Sequence, residues 1–147
     1  MFKKVLVSTD GSAFSNKAVA TAARLAQSLG AKLLLLHVRS PLETPHHVEG
    51  GALSNLGKKA VMLEIEDEER KLLDAALEIA AADGMKAETA FIAGYSPYEA
   101  IIRIAREQHC DLIVMASHGR GGISGFLLGS ETQKVLTHTT IPVLIVR

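Results

Sequence analysis

The chain has 147 residues, with 16 Lys plus Arg balanced by 16 Asp plus Glu and a formal net charge of zero. That length suits one domain, 1–147, large enough to bury its own core without disulfide or metal staples. The charge balance excludes the basic excess of an electrostatic nucleic-acid binder and the polybasic patch of a membrane anchor.

Hydrophobic residues at 48% and charged residues at 22% mark a globular chain. The single cysteine, Cys110, excludes an internal disulfide framework. The longest apolar runs are strand-length, so no membrane span is predicted. Met1-Phe2-Lys3-Lys4 leads straight into a β-like run with no room for a signal-peptide core, and a cytoplasmic location is expected.

The first element, over 4–10, is short, β-branched and almost continuously apolar, which predicts a strand buried on both faces. Gly11-Ser12 breaks it. Ala18, Ala22, Leu25, Ala26 and Leu29 then recur at helical spacing, and Gly30 stops that helix. Residues 32–38 hold four consecutive leucines and read as a second buried strand. Residues 39–57, with Pro41, Pro45, Gly50 and Gly51, read as a long loop, either over the site or toward a partner.

A helix is predicted over 58–82, its charge-dense stretch 64–71 reading as a solvated face. Residues 87–92 read as a third strand. Ser96, Pro97 and Glu99 stand as N-cap, N1 and N3 of a helix ending near His109. A fourth strand follows over 111–117, then a glycine-rich loop over 118–129. Ser130-x-x-Gln133 reads as a capping box opening a helix to about Thr137, and 141–146 as a last strand. Strands alternating with helices predict a doubly wound, Rossmann-like α/β fold with a parallel sheet covered on both faces.

Such sheets bind ligands beyond the carboxyl ends of their strands, where the strand order reverses. Asp10 ends the first strand and reads either as an acceptor for a ligand amine or metal, or as a turn aspartate. Glycines after the fourth strand let backbone N–H groups approach an anion, and Gly129-Ser130 stands at a helix start that favours phosphate. An ordinary flexible connection with a helix cap explains the same residues, and pattern alone leaves both open.

Neither a P-loop nor the dinucleotide fingerprint is present. No Gly-x-Ser-x-Gly elbow supports a hydrolase. His46 and His47 lack the spacing of a zinc site, so no metal ligands are predicted. His37 reads as a satisfied strand histidine and Cys110 as a buried, inert thiol.

Several stretches together resemble the universal stress protein family. They are Val5 to Ser12, the leucine strand ending at His37-Val38, and Gly94-x-x-Pro97. Met115-Ala116-Ser117-His118-Gly119 followed by nine residues and Gly129-Ser130, and the closing Ile141 to Val146, complete the match. The resemblance spans essentially the whole chain. It implies a five-stranded parallel sheet in the order 3-2-1-4-5, with Asp10 facing the glycine loop across the switch point.

It also implies a stress-response regulatory protein binding ATP with Mg²⁺. Asp10 and Val38 would hold the adenine, with Ser8 and Thr9 lining the pocket. Gly119, Arg120, Gly129, Ser130 and Thr132 would meet ribose and phosphates. Met115, Ala116, His118 and Glu131 complete the cofactor-binding set. ATP-binding members carry Gly-x-x-Gly-x9-Gly-Ser/Thr, and here Ala116 stands in the first glycine position.

A homodimer through Pro142, Val143, Leu144, Ile145 and Val146 is implied, without nucleic acid or membrane. No catalytic residue is assigned. Two alternatives stand beside ATP binding: a nucleotide-free homodimer acting through protein partners, and a weak ATPase or autophosphorylating protein using Ser130 or Thr132.

Overall fold

The structure, a computed structural model, describes residues 1–40, 55–120 and 127–147. Its elements in chain order are β1 (Lys4–Ser8), α1 (Ala13–Leu29), β2 (Lys32–Arg39), α2 (Asn55–Ala82) and β3 (Ala87–Ala93). They continue with α3 (Pro97–Glu107), β4 (Leu112–Ala116), α4 (Ser130–His138) and β5 (Val143–Val146). The five strands form one sheet in the order β3-β2-β1-β4-β5, parallel throughout. This is the doubly wound α/β architecture and strand order expected. No described helix is long and apolar enough to cross a membrane.

Strand alternation divides the buried residues into two cores. Val5, Val7, Leu33, Leu35, Leu112, Val114 and Ala116 face one side, where α1 and α2 supply Ala18, Val19, Ala22, Leu73 and Ala76. Leu6, Leu34, Leu36, Ile113 and Met115 face the other, against Ile101, Ile104 and Ala105 of α3 and Val135 of α4. The central strands need both faces covered, so their apolar runs are continuous rather than alternating. Each fully buried Val or Leu there contributes about 1.5–3 kcal/mol. β3 lies at an edge and is correspondingly half exposed.

Local signals place the element ends. Ser12 caps α1 by accepting from the Ser15 N–H, and Gly30 closes it in the left-handed region. Several boundaries differ from the sequence reading. β1 ends at Ser8 and β4 at Ala116, because Thr9, Asp10 and Ser117 already belong to the turns beyond the sheet. β5 begins at Val143 instead of 141; Pro142 just before it still accepts the Ile113 N–H at 3.0 Å, and its missing N–H costs nothing at the strand's start.

α2 begins at Asn55, so 55–57 are helical rather than loop, and Arg39 is the last residue of β2. The rest of the expected loop, 41–54, and residues 121–126 of the glycine-rich connection lie outside the described residues, as do His46 and His47.

Two capping assignments also change. Gly129 is the N-cap of α4 and Ser130 its first helical residue, while Gln133 Nε2 donates to the Leu128 carbonyl 2.7 Å away. At α3, Pro97 follows the Ser96 N-cap as expected, but Ser96 makes no side-chain cap. Glu131 of α4 takes over by accepting the Tyr98 N–H at 2.9 Å. Finally, one residue of the charged stretch is not solvated: Glu69 is only 5% exposed.

Candidate functional site

β1 sits between β2 and β4, and its chain leaves toward α1 on one face, whereas β4 leads toward α4 on the other. The two connections diverge and a crevice opens beyond the carboxyl ends of the central strands. This is the switch-point position at which open α/β sheets take ligands.

A cavity of about 410 Å³ occupies that position, within the size range of small-molecule sites. Its walls include every cofactor-binding residue expected from the sequence: Ser8, Thr9, Asp10, Val38, Met115, Ala116, His118, Gly119, Arg120, Gly129, Ser130, Glu131 and Thr132. Ser15, Leu36, Pro97 and Ile101 line it too and escaped the sequence reading. The signals for two of them were weak but present: Ser15 is the N3 position that Ser12 caps, and Pro97 is the N1 residue of α3.

The cavity has two chemistries. Leu36, Val38, Met115, Ile101 and Pro97 make an apolar slab above the second core. Asp10, Gly119, Arg120, Gly129 and Ser130 make a polar rim beside it.

Asp10 organises that rim. Its Oδ1 accepts the Ser12 N–H at 2.9 Å, and its Oδ2 accepts the Arg120 N–H at 2.8 Å. One carboxylate therefore ties the loop after β1 to the loop after β4. Burial alone would raise its pKa, but the bonds from Ser12, Ser15 and the Arg120 N–H outweigh burial and hold it below the usual carboxylate value.

Gly11 turns the chain with φ +76°, a conformation that side-chain residues rarely adopt. At Gly119 the reason for glycine is space: an added Cβ would stand 2.8 Å from Asp10 Oδ2.

The remaining residues differ in how far they are free. Thr132 is buried, and its hydroxyl donates to the Ala116 carbonyl at 3.0 Å, pinning α4 to the end of β4. Glu131 is held by Tyr98 and by Lys134, whose Nζ lies 2.9 Å from Oε1. Both residues border the cavity while serving the scaffold. Gly129 has no side chain with which to cap α4, and the amino terminus of that helix borders the cavity through Gly129, Ser130, Glu131 and Thr132.

His118 Nδ1 lies 3.1 Å from Ser117 Oγ, and its buried Nε2 has no hydrogen-bond partner among the described residues. Ala116 lies in extended strand, without a left-handed φ, and packs with the α1-side core. Strand alternation thus turns its methyl away from the face carrying Leu36, Met115 and Ile101.

Among the described residues, no group of three His, Cys, Asp or Glu side chains could hold a metal. Cys110 is 5% exposed, and burial pushes its thiol up to about 11, as fits an inert thiol.

A family model for the universal stress protein family matches residues 1–147. The chain belongs to that family. Universal stress protein YxiE of Bacillus subtilis is 38% identical over 149 residues, covering all of both chains. Protein MJ0577 of Methanocaldococcus jannaschii, itself named a universal stress protein, has a solved structure that is 26% identical. It matches with a TM-score of 0.81 over 99% of this chain and 96% of that one. A universal stress protein solved in complex with cAMP is 28% identical, with a TM-score of 0.72 over 99% of this chain and 97% of the other.

Proposed function

We propose that this universal stress protein binds an adenine nucleotide, ATP with its Mg²⁺, in the crevice between β1 and β4, and acts as a regulatory homodimer. The observation carrying this reading is the pairing of an apolar slab with a polar, glycine-lined rim in one cavity at the switch point. The slab suits a purine base. Asp10 retains lone pairs beyond those facing Ser12 and Arg120, and these suit an exocyclic amine.

Gly119, Gly129 and the start of α4, where the N-cap is a glycine, suit phosphates. A related protein in complex with cAMP lends weight to the adenine class. The chain offers no cluster of metal ligands among its described residues, so a cation in this site would be carried by the phosphates.

The homodimer part of the reading rests on β5. It ends the sheet, with one edge unpaired among the described residues, and its four residues are Val, Leu, Ile and Val, with Leu144 37% exposed. Such an edge is an aggregation hazard unless covered, and a second copy covers it symmetrically. Light scattering of the wild type should give a dimer and Leu144→Lys a monomer. A wild-type monomer at micromolar concentration removes this part.

For the nucleotide, desalted protein is tested by thermal shift with ATP·Mg²⁺, ADP, AMP and GTP. A ligand at about 100 times its Kd stabilises the fold by about 2.7 kcal/mol, a rise on the order of 5 °C or more for this size. Adenine nucleotides should raise the Tm and GTP should not. Gly119→Val should remove the rise, because its side chain collides with the Asp10 carboxylate. No rise with any nucleotide, with co-purified ligand excluded by mass spectrometry, refutes the reading.

A further inference from the structure

Thr9 and Asp10 are backed, away from the cavity, by two buried groups and a half-buried arginine. His37 of β2 is 5% exposed, and its Nδ1 lies 2.7 Å from the Thr9 carbonyl oxygen. Its Nε2 lies 2.6 Å from Glu69 Oε2, and Glu69 of α2 is itself 5% exposed. The other Glu69 oxygen is bound by the Arg39 guanidinium, whose side chain is 12% exposed and also reaches Glu68. Phe91 of β3 stacks on the imidazole, with centroids 5.9 Å apart and ring planes at 16°.

The direction of the chain of contacts follows from donor chemistry. A carbonyl only accepts, so Nδ1 donates to Thr9 and the ring orientation is set. Glu69 Oε2 has no hydrogen-bond partner among the described residues, and the ring, with Nε2 2.6 Å away, is the polar group that it faces. Ionisable groups buried this deeply stay only when paired.

α2 touches the same loop at a second point. One turn after Glu69, Leu72 presses on Gly11: a Cβ there would stand 3.2 Å from Leu72 Cδ1. Glu69 and Leu72, three apart on one helix, thus back both sides of Asp10.

We infer that Glu69 and His37 are positioning residues for the nucleotide site, acting from α2 through the Thr9 carbonyl to set the place of Asp10. This rests on the nucleotide reading for its effect on affinity, but not for its effect on the loop. Coupling of this kind is reciprocal, so nucleotide should in turn steady α2 around Glu69.

The test compares Glu69→Ala, Glu69→Gln and His37→Leu with Val19→Ala, a core variant in α1 that does not line the cavity. Three quantities are read: Tm, ATP affinity, and the backbone amide shifts of Asp10, Gly11 and Arg120 in ligand-free protein by NMR. Glu69→Ala and His37→Leu should move those amides and weaken ATP by about tenfold, the scale of one buried hydrogen bond lost. Glu69→Gln keeps a polar group facing the ring, with both an acceptor and a donor to offer, and should fall between Ala and wild type.

Val19→Ala should lower the Tm while leaving amides and affinity in place. If the Glu69 and His37 variants lower only the Tm, as Val19→Ala does, the inference is overturned. If the wild type binds no nucleotide, the functional reading fails, and the ligand-free amide shifts alone still uphold or overturn the positioning role.

Discussion

β1 and β4 carry an aspartate at each end of the seam between them, and the two ends have opposite characters. At the amino end Asp111 accepts the Lys3 N–H at 2.8 and 3.0 Å and the Lys4 N–H at 3.0 Å, closing the strands onto one another. At the carboxyl end Asp10 accepts the Ser12 and Arg120 N–H groups, yet a cavity of about 410 Å³ opens beside it. The chemistry is the same and the topology is not. At the amino end the chain enters two adjacent strands with one short tie. At the carboxyl end it departs toward opposite faces, and among the described residues no side chain fills the gap. A carboxylate that ties backbone N–H groups of two segments is a staple in the first setting and the wall of a site in the second.

Removing each aspartate should separate these roles. Asp111→Ala strips acceptors from two backbone N–H groups and should cost about 1–2 kcal/mol of stability, leaving nucleotide affinity intact. Asp10→Ala should cost no more stability than that but weaken ATP by about tenfold or more, because one wall of the site and its two loops come loose together. Urea unfolding and calorimetric titration on both variants check the pair. Equal losses of affinity at the two ends would erase the contrast.

Acid offers a gentler probe of the same pair. For Asp111, burial raises the pKa, and the Lys4 and Lys3 N–H bonds more than offset it, so the folded value lies below the usual one. Asp10 shifts in the same direction, for the reasons given above. A carboxylate with a depressed folded pKa adds stability that is fully present above its unfolded pKa, near 3.9, and is lost as the pH falls through the folded value. Asp10→Asn and Asp111→Asn should each flatten the loss of stability between about pH 4 and pH 2. Both groups are part-exposed, so the change should shrink in high salt.

At the amino end the buried Cys110, next to Asp111, adds a check that needs no mutation. With its thiol pushed up to about 11 by burial, it should resist iodoacetamide at neutral pH and react fully only after denaturation.

The contrast also explains what the sequence reveals. The apolar runs 4–8, 32–38 and 112–116 announce buried parallel strands because both of their faces need covering, and Gly11, Gly119 and Gly129 mark the turns around the site. Asp10 is legible because it follows a strand. Glu69 is not: it sits among Glu64, Glu66, Asp67 and Glu68 in a run whose composition reads as solvated. Only the packing of α2 on β2 singles out the one carboxylate that meets His37 and Arg39. The Tyr98–Glu131 cap hides for the same reason, since each partner reads as satisfied within its own helix. Local pattern reports what a segment needs, and it is silent about which distant segment supplies it.

The smallest expected effect concerns Ala116, the departure from the family's glycine pattern. Ala116 lies in β4 opposite Val146, in an extended conformation that needs no glycine. Its methyl belongs to the core beneath α1, on the other side of the sheet from Leu36, Met115 and Ile101. Ala116→Gly should therefore lower stability by about 1 kcal/mol, from the lost methyl and the looser unfolded chain. It should change ATP affinity by less than about twofold, well under the 1.4 kcal/mol that a factor of ten requires. A tenfold gain in affinity would instead show that the methyl crowds the ligand. The methyl would then be acting through the position of the β4 carboxyl end, because its own direction is away from the slab.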